Sequence, residues 1–454
     1  MQHPSTNHPS FFPSPILPLI LWSTHMKLHM DLDCYFVSAE RTRYPFLKGK
    51  PVVIAKGSDK RIFSGEKKQG VLLGDTGAFN ALLEFKNTYD TANIASIWKE
   101  MFTDPDGTIH GIVITKSYEA KACGIQTGTP LKEALLMCPS LTVLPSDHLF
   151  YQHLSFKLKS FLETKIPLLE QYSIDEFFGD VSGWVEPSAV PAFIKALQAE
   201  VTKRFDLPLS IAASQSKWIA KLATDTVKPY GTRVIWPQNV EAFTNPLPIE
   251  DFPGIGRAIT LRLKAHDAHT LKEAKALPRL FASYGKTGKQ LYQKILGTDN
   301  EPVIPSRERK GIGISRNFPA LEDREELKRR VVILAKYLSC TITKLSLLPT
   351  TFYMKLRYQY GVKSSQSITH DRLFSESYFR KLSLALFETL DCHRGYKIHY
   401  IGLSASNFVT KHNPKSFSVV EFEEDKKLHA LTQGLAKIRD KHGVDMIGVG
   451  REMG

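Results

Sequence analysis

KLHMDLD, residues 27–33, alternates polar and apolar side chains without a break. As a strand it turns Leu28, Met30 and Leu32 to a core and His29, Asp31 and Asp33 to one functional face. Carboxylates this close repel one another and lose hydration unless a cation sits among them. A second acidic pair lies in Ser173-Ile174-Asp175-Glu176, with Asp175 placed 144 residues after Asp31. Strict alternation would put Asp175 and Glu176 on opposite faces, so a turn or bulge is expected there. Mg²⁺ suits such a set, taking a few carboxylate oxygens and filling its shell from water and substrate phosphate. Two such ions, about 3.5–4 Å apart, would stabilise the attacking and leaving oxygens of a phosphoryl transfer. Taken singly, either pair also reads as ordinary surface acids in a turn.

Working outward, CYFVSAERTRYP reads as a helix ending near Pro45, and PVVIA (51–55) and GIVIT (111–115) read as strands. SYEAKACGI and LKEALLMCP are helical, LTVLP (141–145) is a strand, and 148–164 is an amphipathic helix. Two β-rich stretches in 168–181 meet near Ser173–Glu176. The strand LPLSIAAS lies between the helices PAFIKALQAEVTKRF and KWIAKLATDTVKP, the latter halted at Pro229, and GTRVIWP is a last strand. The interrupted alternation and the expected hairpins favour α+β over a doubly wound sheet. From 239 to about 297 only short helices remain, and 298–312, with Arg307, Arg309 and Lys310, reads as a basic linker. Beyond it the order is strand–helix–strand–strand–helix–strand, followed by an acidic patch (421–425) and a final amphipathic helix.

Composition narrows the partners. The chain has 454 residues, 42% of them apolar, and carries 60 Lys and Arg against 46 Asp and Glu, for a formal charge of +14. Residues 301–415 hold 20 Lys and Arg against 10 Asp and Glu. Charge concentrated in this way points to a polyanionic partner, nucleic acid or an anionic membrane surface. Five scattered cysteines, with no CxxC pair, argue against a disulfide framework or a zinc site and fit a reducing cytoplasm. The apolar run 11–22 is broken by Pro13, Pro15 and Pro18 and is too short for a bilayer, which needs about 20 residues. No Lys or Arg precedes Lys27, so a secretion signal is not expected. Residues 1–25 read as a disordered extension, or as the product of an early start assignment with Met26 the true beginning. No Walker-type phosphate loop argues for an ATP-driven helicase.

Two further groups could carry chemistry. Tyr118 and Lys121, with Lys228 from Lys228-Pro229-Tyr230-Gly231, could grip a triphosphate through charge-assisted hydrogen bonds; a solvated helix with Glu119 as counter-charge is the plain alternative. Pro253-Gly254-Ile255-Gly256, followed by an apolar helix, reads as a helix-hairpin-helix that grips a phosphate backbone, or as a simple inter-helix turn.

Together, MDLDCYFVSAE, YEAK..GI, SIDEFFGD, AKLATDTVKPYGT and FPGIG resemble, in order and spacing, the Y-family DNA polymerases, the translesion branch that includes bacterial DNA polymerase IV. The resemblance spans residues 26 to about 410. It implies a right-hand architecture: palm (26–50 and 141–236), fingers (51–140), helical thumb (237–300) and little finger (301–415), with a tail at 416–454. It implies that Asp31, Asp175 and Glu176, with the Leu32 carbonyl, hold two Mg²⁺ ions, and that Asp33 is structural. Phe36 matches the steric gate against a ribose hydroxyl, and its neighbour Tyr35 is the core residue. Tyr118, Lys121 and Lys228 match the groups that hold the incoming dNTP, and 253–256 would hold the backbone of primer–template DNA. Lys121 stands where the family commonly has Arg, so a bidentate fork becomes a point charge.

Departures from the family pattern are equally specific. Pro51 and Tyr118 are 67 positions apart, which makes 57–110 an insertion in or beside the fingers, with surface decoration the favoured reading. Ser416-Phe417-Ser418-Val419-Val420 stands where relatives carry a sliding-clamp peptide but lacks its Gln and terminal aromatic. A monomer without proofreading is expected. A non-catalytic DNA-binding scaffold would not need the carboxylates, and a two-metal nuclease would not need the triphosphate grip.

Overall fold

The computed structural model describes residues 25–450 except 58–59, 64–69, 73–82, 86–96, 105 and 449. All but the last residue of the expected N-terminal extension, 1–25, and most of the expected insertion lie outside the described residues. In chain order the first elements are β1 (Lys27–Leu32), α1 (Tyr35–Arg43), β2 (Val52–Lys56), β3 (Gly70–Leu72), β4 (Leu83–Phe85), α2 (Ile97–Phe102), β5 (Ile112–Lys116), α3 (Tyr118–Ala122), α4 (Leu131–Met137) and β6 (Thr142–Pro145). Then come α5 (His148–Glu163), β7 (Leu168–Gln171), β8 (Glu176–Asp180), α6 (Val190–Phe205), β9 (Leu209–Ser214), α7 (Lys217–Asp225) and β10 (Thr232–Ile235).

A five-stranded sheet, ordered β10-β9-β1-β8-β7, carries the first acidic strand at its centre. β1 runs antiparallel to both β8 and β9, and β7–β8 is the expected hairpin. Leu28, Met30 and Leu32 pack into a core with Tyr151, Leu158 and Leu162 of α5 and Ile194, Leu197 and Val201 of α6. The opposite face corrects the expectation of one open, functional side. α7 packs on β1 and β9 there, burying His29 completely against Phe178. Only the end of the strand, at Asp31, approaches open space. α7 starts where it does because the Ser216 hydroxyl accepts from the Ile219 N–H at 3.2 Å. It ends at Asp225, four residues before Pro229.

A small sheet ordered β5-β2-β6 forms a second unit, closed by α4 and by Phe102 of α2. The described residues 60–63 of the insertion lie against the C-terminal module rather than simply on the surface. Phe63 meets Phe318 edge-on at 5.9 Å, the Arg330 guanidinium lies 4.6 Å from both rings, and Arg329 donates to the Phe63 carbonyl at 3.0 Å.

The strandless stretch holds α8 (Val240–Thr244), α9 (Arg257–Lys264), α10 (Leu271–Lys275), α11 (Pro278–Ser283) and α12 (Gly285–Leu296). Their core is continuous with α7, where Trp218, Ile219 and Leu222 join Ile249, Phe252, Leu263 and Phe281. The basic linker is tied to the first sheet. Glu170 takes the buried Lys217 ammonium at 2.5 Å, Arg307 at 3.0 Å and the Ile304 N–H at 2.9 Å.

The C-terminal module comprises β11 (Gly311–Leu321), α13 (Arg324–Lys344), β12 (Pro349–Tyr358), β13 (Lys363–Thr369), α14 (Glu376–Leu390), β14 (Ile398–Phe408) and α15 (Phe422–His442). Its antiparallel sheet is ordered β11-β14-β12-β13, with α13 and α14 packed on it. α15, expected as an amphipathic helix in a tail, instead packs on α13 and α14 through a charged inner face. Asp425 takes a fork from Arg372 at 2.6 and 2.7 Å, Arg439 is buried against Glu376, and Thr432 accepts from the Glu376 N–H. Leu431 and Ile438 face outward. Among the described residues no helix is long and apolar enough to cross a membrane.

Candidate active site

Strand register brings the two acidic motifs together. Asp31, near the end of β1, lies directly opposite Glu176, the first residue of β8, and opposite Ser210 on its other side. The hairpin turn before Glu176 is closed by its carbonyl, which accepts from the Tyr172 and Ser173 N–H groups at 2.9 and 3.1 Å. Asp175 sits in that turn. Its carbonyl accepts from the N–H of buried Leu32 at 3.1 Å, and its carboxylate accepts from the Ser173 hydroxyl at 2.5 Å. His29, Asp31 and Glu176 each offer a donor atom within 4.8 Å of the others, a group that could hold a metal ion.

The electrostatics show what this crowding costs. Burial pushes Asp31 up to about 8 against the pull of Lys228, and Asp175 and Glu176 add repulsion. Asp175 is raised as well, first by burial, against the Ser173 hydrogen bond and with the Glu176 charge adding to the rise. Burial holds His29 well below its ordinary value, helped by Lys221, Lys228 and Lys217, so its imidazole is neutral. Neither imidazole nitrogen has a hydrogen-bond partner. A buried orphaned nitrogen beside two crowded carboxylates is a donor set that could hold a cation.

Lysines from α7 and the turn after it cover this cluster. The Lys228 ammonium lies 2.8 Å from Asp31 and 3.1 Å from Asp225, and Lys221 pairs with Glu176. Burial alone would lower Lys228, but the Asp31 charge and hydrogen bond, with Asp225, raise it. Asp33 is held differently. It is buried and accepts from the Ser210 hydroxyl at 2.9 and 3.1 Å and from the Tyr230 N–H at 2.7 Å. Burial raises it against those hydrogen bonds. Such an anion is already satisfied, which fits the structural role expected of it.

The remaining expected residues fall at two distances from the cluster. Tyr118 opens α3, and its phenol is raised first by burial and then by the charges of Asp33, Cys34 and Asp31. The Lys121 ammonium is exposed and lies 5.9 Å from the Tyr118 ring centre. Glu119 does not act as their counter-charge, because it pairs with Arg41 of α1 at 2.9 Å. Phe36 is half-buried, stacked on Tyr151 at 4.5 Å and edge-on to His148 at 5.4 Å. Tyr35 is in the core and donates to the Tyr151 carbonyl.

Pro253-Gly254-Ile255-Gly256 stands apart from the carboxylates, across a cleft of about 450 Å³ whose near wall includes Lys221 and Tyr172 and whose far wall includes Pro253, Gly254 and Tyr284. Gly254 has φ 103°, and a Cβ there would come within 3.2 Å of Leu291, so the turn needs glycine. Gly256 caps α9 with open space where a Cβ would point, and Ile255 is buried beneath. Sequence reading missed Lys221 as the partner of Glu176 and His29 as a member of the cluster. His29 carried a signal, since alternation places it on the face of Asp31. Lys221 carried none, since its partner lies 45 residues away.

Residues 30–225 match the impB/mucB/samB family and residues 309–418 match that family's C-terminal domain, so Asp31, Asp175, Glu176 and Lys221 and the whole sheet β11–β14 fall inside the matched spans. The chain belongs to this family, the Y-family DNA polymerases. It is 25% identical over 439 residues to DNA polymerase IV of Clostridium kluyveri, covering 93% of this chain and 96% of the relative. It is 28% identical over 347 residues to DNA polymerase IV of Streptococcus sanguinis, covering 76% and 85%. Among solved structures, a Y-family DNA polymerase chimera, Dbh-Dpo4(243-245)-Dbh, superposes with a TM-score of 0.67 at 21% identity, over 85% of this chain and all of that one. The insertion ternary complex of Dbh DNA polymerase superposes with a TM-score of 0.54 over the same shares. These are likenesses of fold, and the fold they share is the mixed α+β palm, fingers, thumb and little-finger architecture.

Proposed function

We infer that the chain is a template-directed DNA polymerase of the low-fidelity translesion class, joining a dNTP to a primer 3′-OH in DNA damage tolerance. The observation that carries the reading is the register of Asp31 opposite Glu176, with Asp175 in the adjoining turn and Lys228 on Asp31.

Asp31, Asp175 and Glu176, with the Leu32 carbonyl, are the proposed holders of two Mg²⁺ ions. The donor set fits, because hard carboxylate oxygens are crowded and partly starved of water there. Bound metal would activate the attacking hydroxyl and steady the pyrophosphate leaving group. The chain's own groups do the rest. Lys228 now neutralises Asp31, and its ammonium becomes available to the triphosphate once Asp31 is otherwise paired. Lys121 adds a second positive charge, and the Tyr118 phenol, at the start of the same helix, donates a hydrogen bond to a phosphate oxygen. Phe36, braced on Tyr151, is the proposed gate against a ribose 2′-hydroxyl. The glycine turn 253–256 and α9 take the DNA backbone across the cleft, and the excess positive charge of 301–415 grips duplex phosphates without reading sequence.

The proposed division is palm at 26–50 and 141–236, fingers at 51–140, thumb at 237–300 and little finger at 301–415. The packing of α15 on α13 and α14 supports attaching residues 422–446 to the last of these. A cytoplasmic monomer is proposed. A sliding clamp is a further candidate partner, and the exposed Val419 and Val420 support an accessible peptide there.

Primer extension with Mg²⁺ and the four dNTPs tests the reading. Template-dependent elongation is expected. Binding of primer–template without any elongation would favour the scaffold alternative.

A further inference from the structure

Cys123 and Cys138 are 15 residues apart, and nothing in their spacing marks them as a pair. The fold nevertheless brings them together. Cys123 is the residue that ends α3 and Cys138 the residue that ends α4, and the Cys123 thiol donates to the Cys138 sulfur at 3.3 Å. Cys123 is exposed, whereas Cys138 is buried directly behind it, with the Ser140 hydroxyl 3.7 Å from its sulfur. An oxidant from solvent therefore meets Cys123 first, and the partner needed to resolve the product is already in contact. The other three cysteines lie on different elements: Cys34 before α1, Cys340 within α13 and Cys392 beyond α14.

We propose that Cys123 and Cys138 are a redox modification site that closes to a reversible disulfide with hydrogen peroxide, and that closure acts on dNTP binding through α3. The Cys123 thiolate attacks a peroxide oxygen, forming S–O and breaking O–O, and the expelled hydroxide leaves as water. The Cys138 thiolate then attacks the Cys123 sulfur, forming S–S and breaking S–O, and the second hydroxide also leaves as water. Two thiols are oxidised, and one peroxide is reduced to two waters. In a reducing compartment such a bond is transient, which suits a switch rather than a structural staple.

The link to substrate is mechanical. A disulfide requires about 2.05 Å between the sulfurs, so closing from 3.3 Å draws the two sulfurs, and with them the helix ends that carry them, toward each other across roughly 1.3 Å of sulfur separation. α4 is anchored by the buried Leu131 and Ala134, while α3 is a single five-residue turn with only Ala120 buried. The shift therefore falls on α3. The Gly124 N–H donates to the Lys121 carbonyl at 2.9 Å and the Cys123 N–H to the Ala120 carbonyl at 3.2 Å, so displacement at the C-terminal end reaches Lys121 directly.

The full chain, treated with hydrogen peroxide and then alkylated, is digested with trypsin without reduction. Cleavage at Lys121 and Lys132 puts the two cysteines on different peptides, so a linked pair is diagnostic. The expected result is that linked pair, together with a rise in dNTP KM of about threefold or more that dithiothreitol reverses and Cys123→Ser abolishes. Two unlinked thiols, or Cys123 recovered as a sulfinic acid, would overturn the site. A linked pair with unchanged KM would overturn its action on α3. The KM measurement rests on the polymerase reading, but the peptide map does not. A reduced chain that extends no primer would refute that reading while leaving the map to decide the disulfide.

Discussion

Replacing Asp33 with alanine separates the structural carboxylate from the reactive ones. The substitution leaves Asp31 and Glu176 untouched and removes the acceptor shared by Ser210 of β9 and the Tyr230 N–H. Ser210 is fully buried, so its hydroxyl would lose an acceptor that water cannot replace, at about 1–3 kcal/mol. Tyr230 is 46% exposed, so its freed N–H can turn toward solvent and costs less. The ionised Asp33 is itself disfavoured by burial, and removing it recovers part of that cost. The net destabilisation is therefore expected at ~2 kcal/mol, below the roughly 3–6 kcal/mol of two charge-assisted bonds because part of the burial cost of Asp33 is recovered. Urea unfolding followed by the fluorescence of Trp184, Trp218 and Trp236, read beside steady-state primer extension, measures both consequences. The midpoint should fall, and the dNTP KM should rise by a larger factor than kcat falls, because the turn that carries Lys228 loses the tie of its Tyr230 N–H to Asp33. Unchanged stability with kcat reduced as far as in Asp31→Ala would refute the reasoning and make Asp33 a metal ligand.

Asp175→Ala combined with Glu176→Ala should lower primer extension by about a thousandfold or more, roughly 4 kcal/mol of transition-state stabilisation, while circular dichroism stays native; retained activity would reject the metal assignment. Phe36→Ala should relax selection against ribonucleotides by at least about tenfold in competing kcat/KM, since it removes the ring braced on Tyr151. Unchanged sugar selectivity would place the gate elsewhere. Phe63→Ala should weaken the docking of the insertion on the C-terminal module by about 1.5–3 kcal/mol, seen as faster limited proteolysis within 57–110; an unaltered cleavage rate would mean that Phe63 does not hold it there.

Much of the fold is legible because its signals are local. The two-residue period of KLHMDLD, the short apolar run of PVVIA and the turn at Ser173–Glu176 each specify an element within a few residues. The packing of α15 was not legible. Its inner positions are Asp425, Thr432 and Arg439, which a hydrophobic pattern assigns to solvent, and only Arg372 and Glu376 from distant segments make their burial affordable. The burial of His29 was hidden for a related reason, since a polar residue on an alternating strand reads as exposed until α7 covers it.

By itself the sequence determined the order and type of most elements, the acidic, basic and glycine-bearing motifs, and, through their joint order, the Y-family resemblance. Tertiary structure alone decided which of those residues meet. Asp31 and Glu176 become neighbours through the register of β1 with β8, and Lys228 reaches Asp31 from the turn after α7. Cys123 and Cys138 touch because two short helices end at the same place. Local periodicity carries information over one or two turns of chain. Register and packing are cooperative outcomes of the whole core, and no short window of sequence contains them.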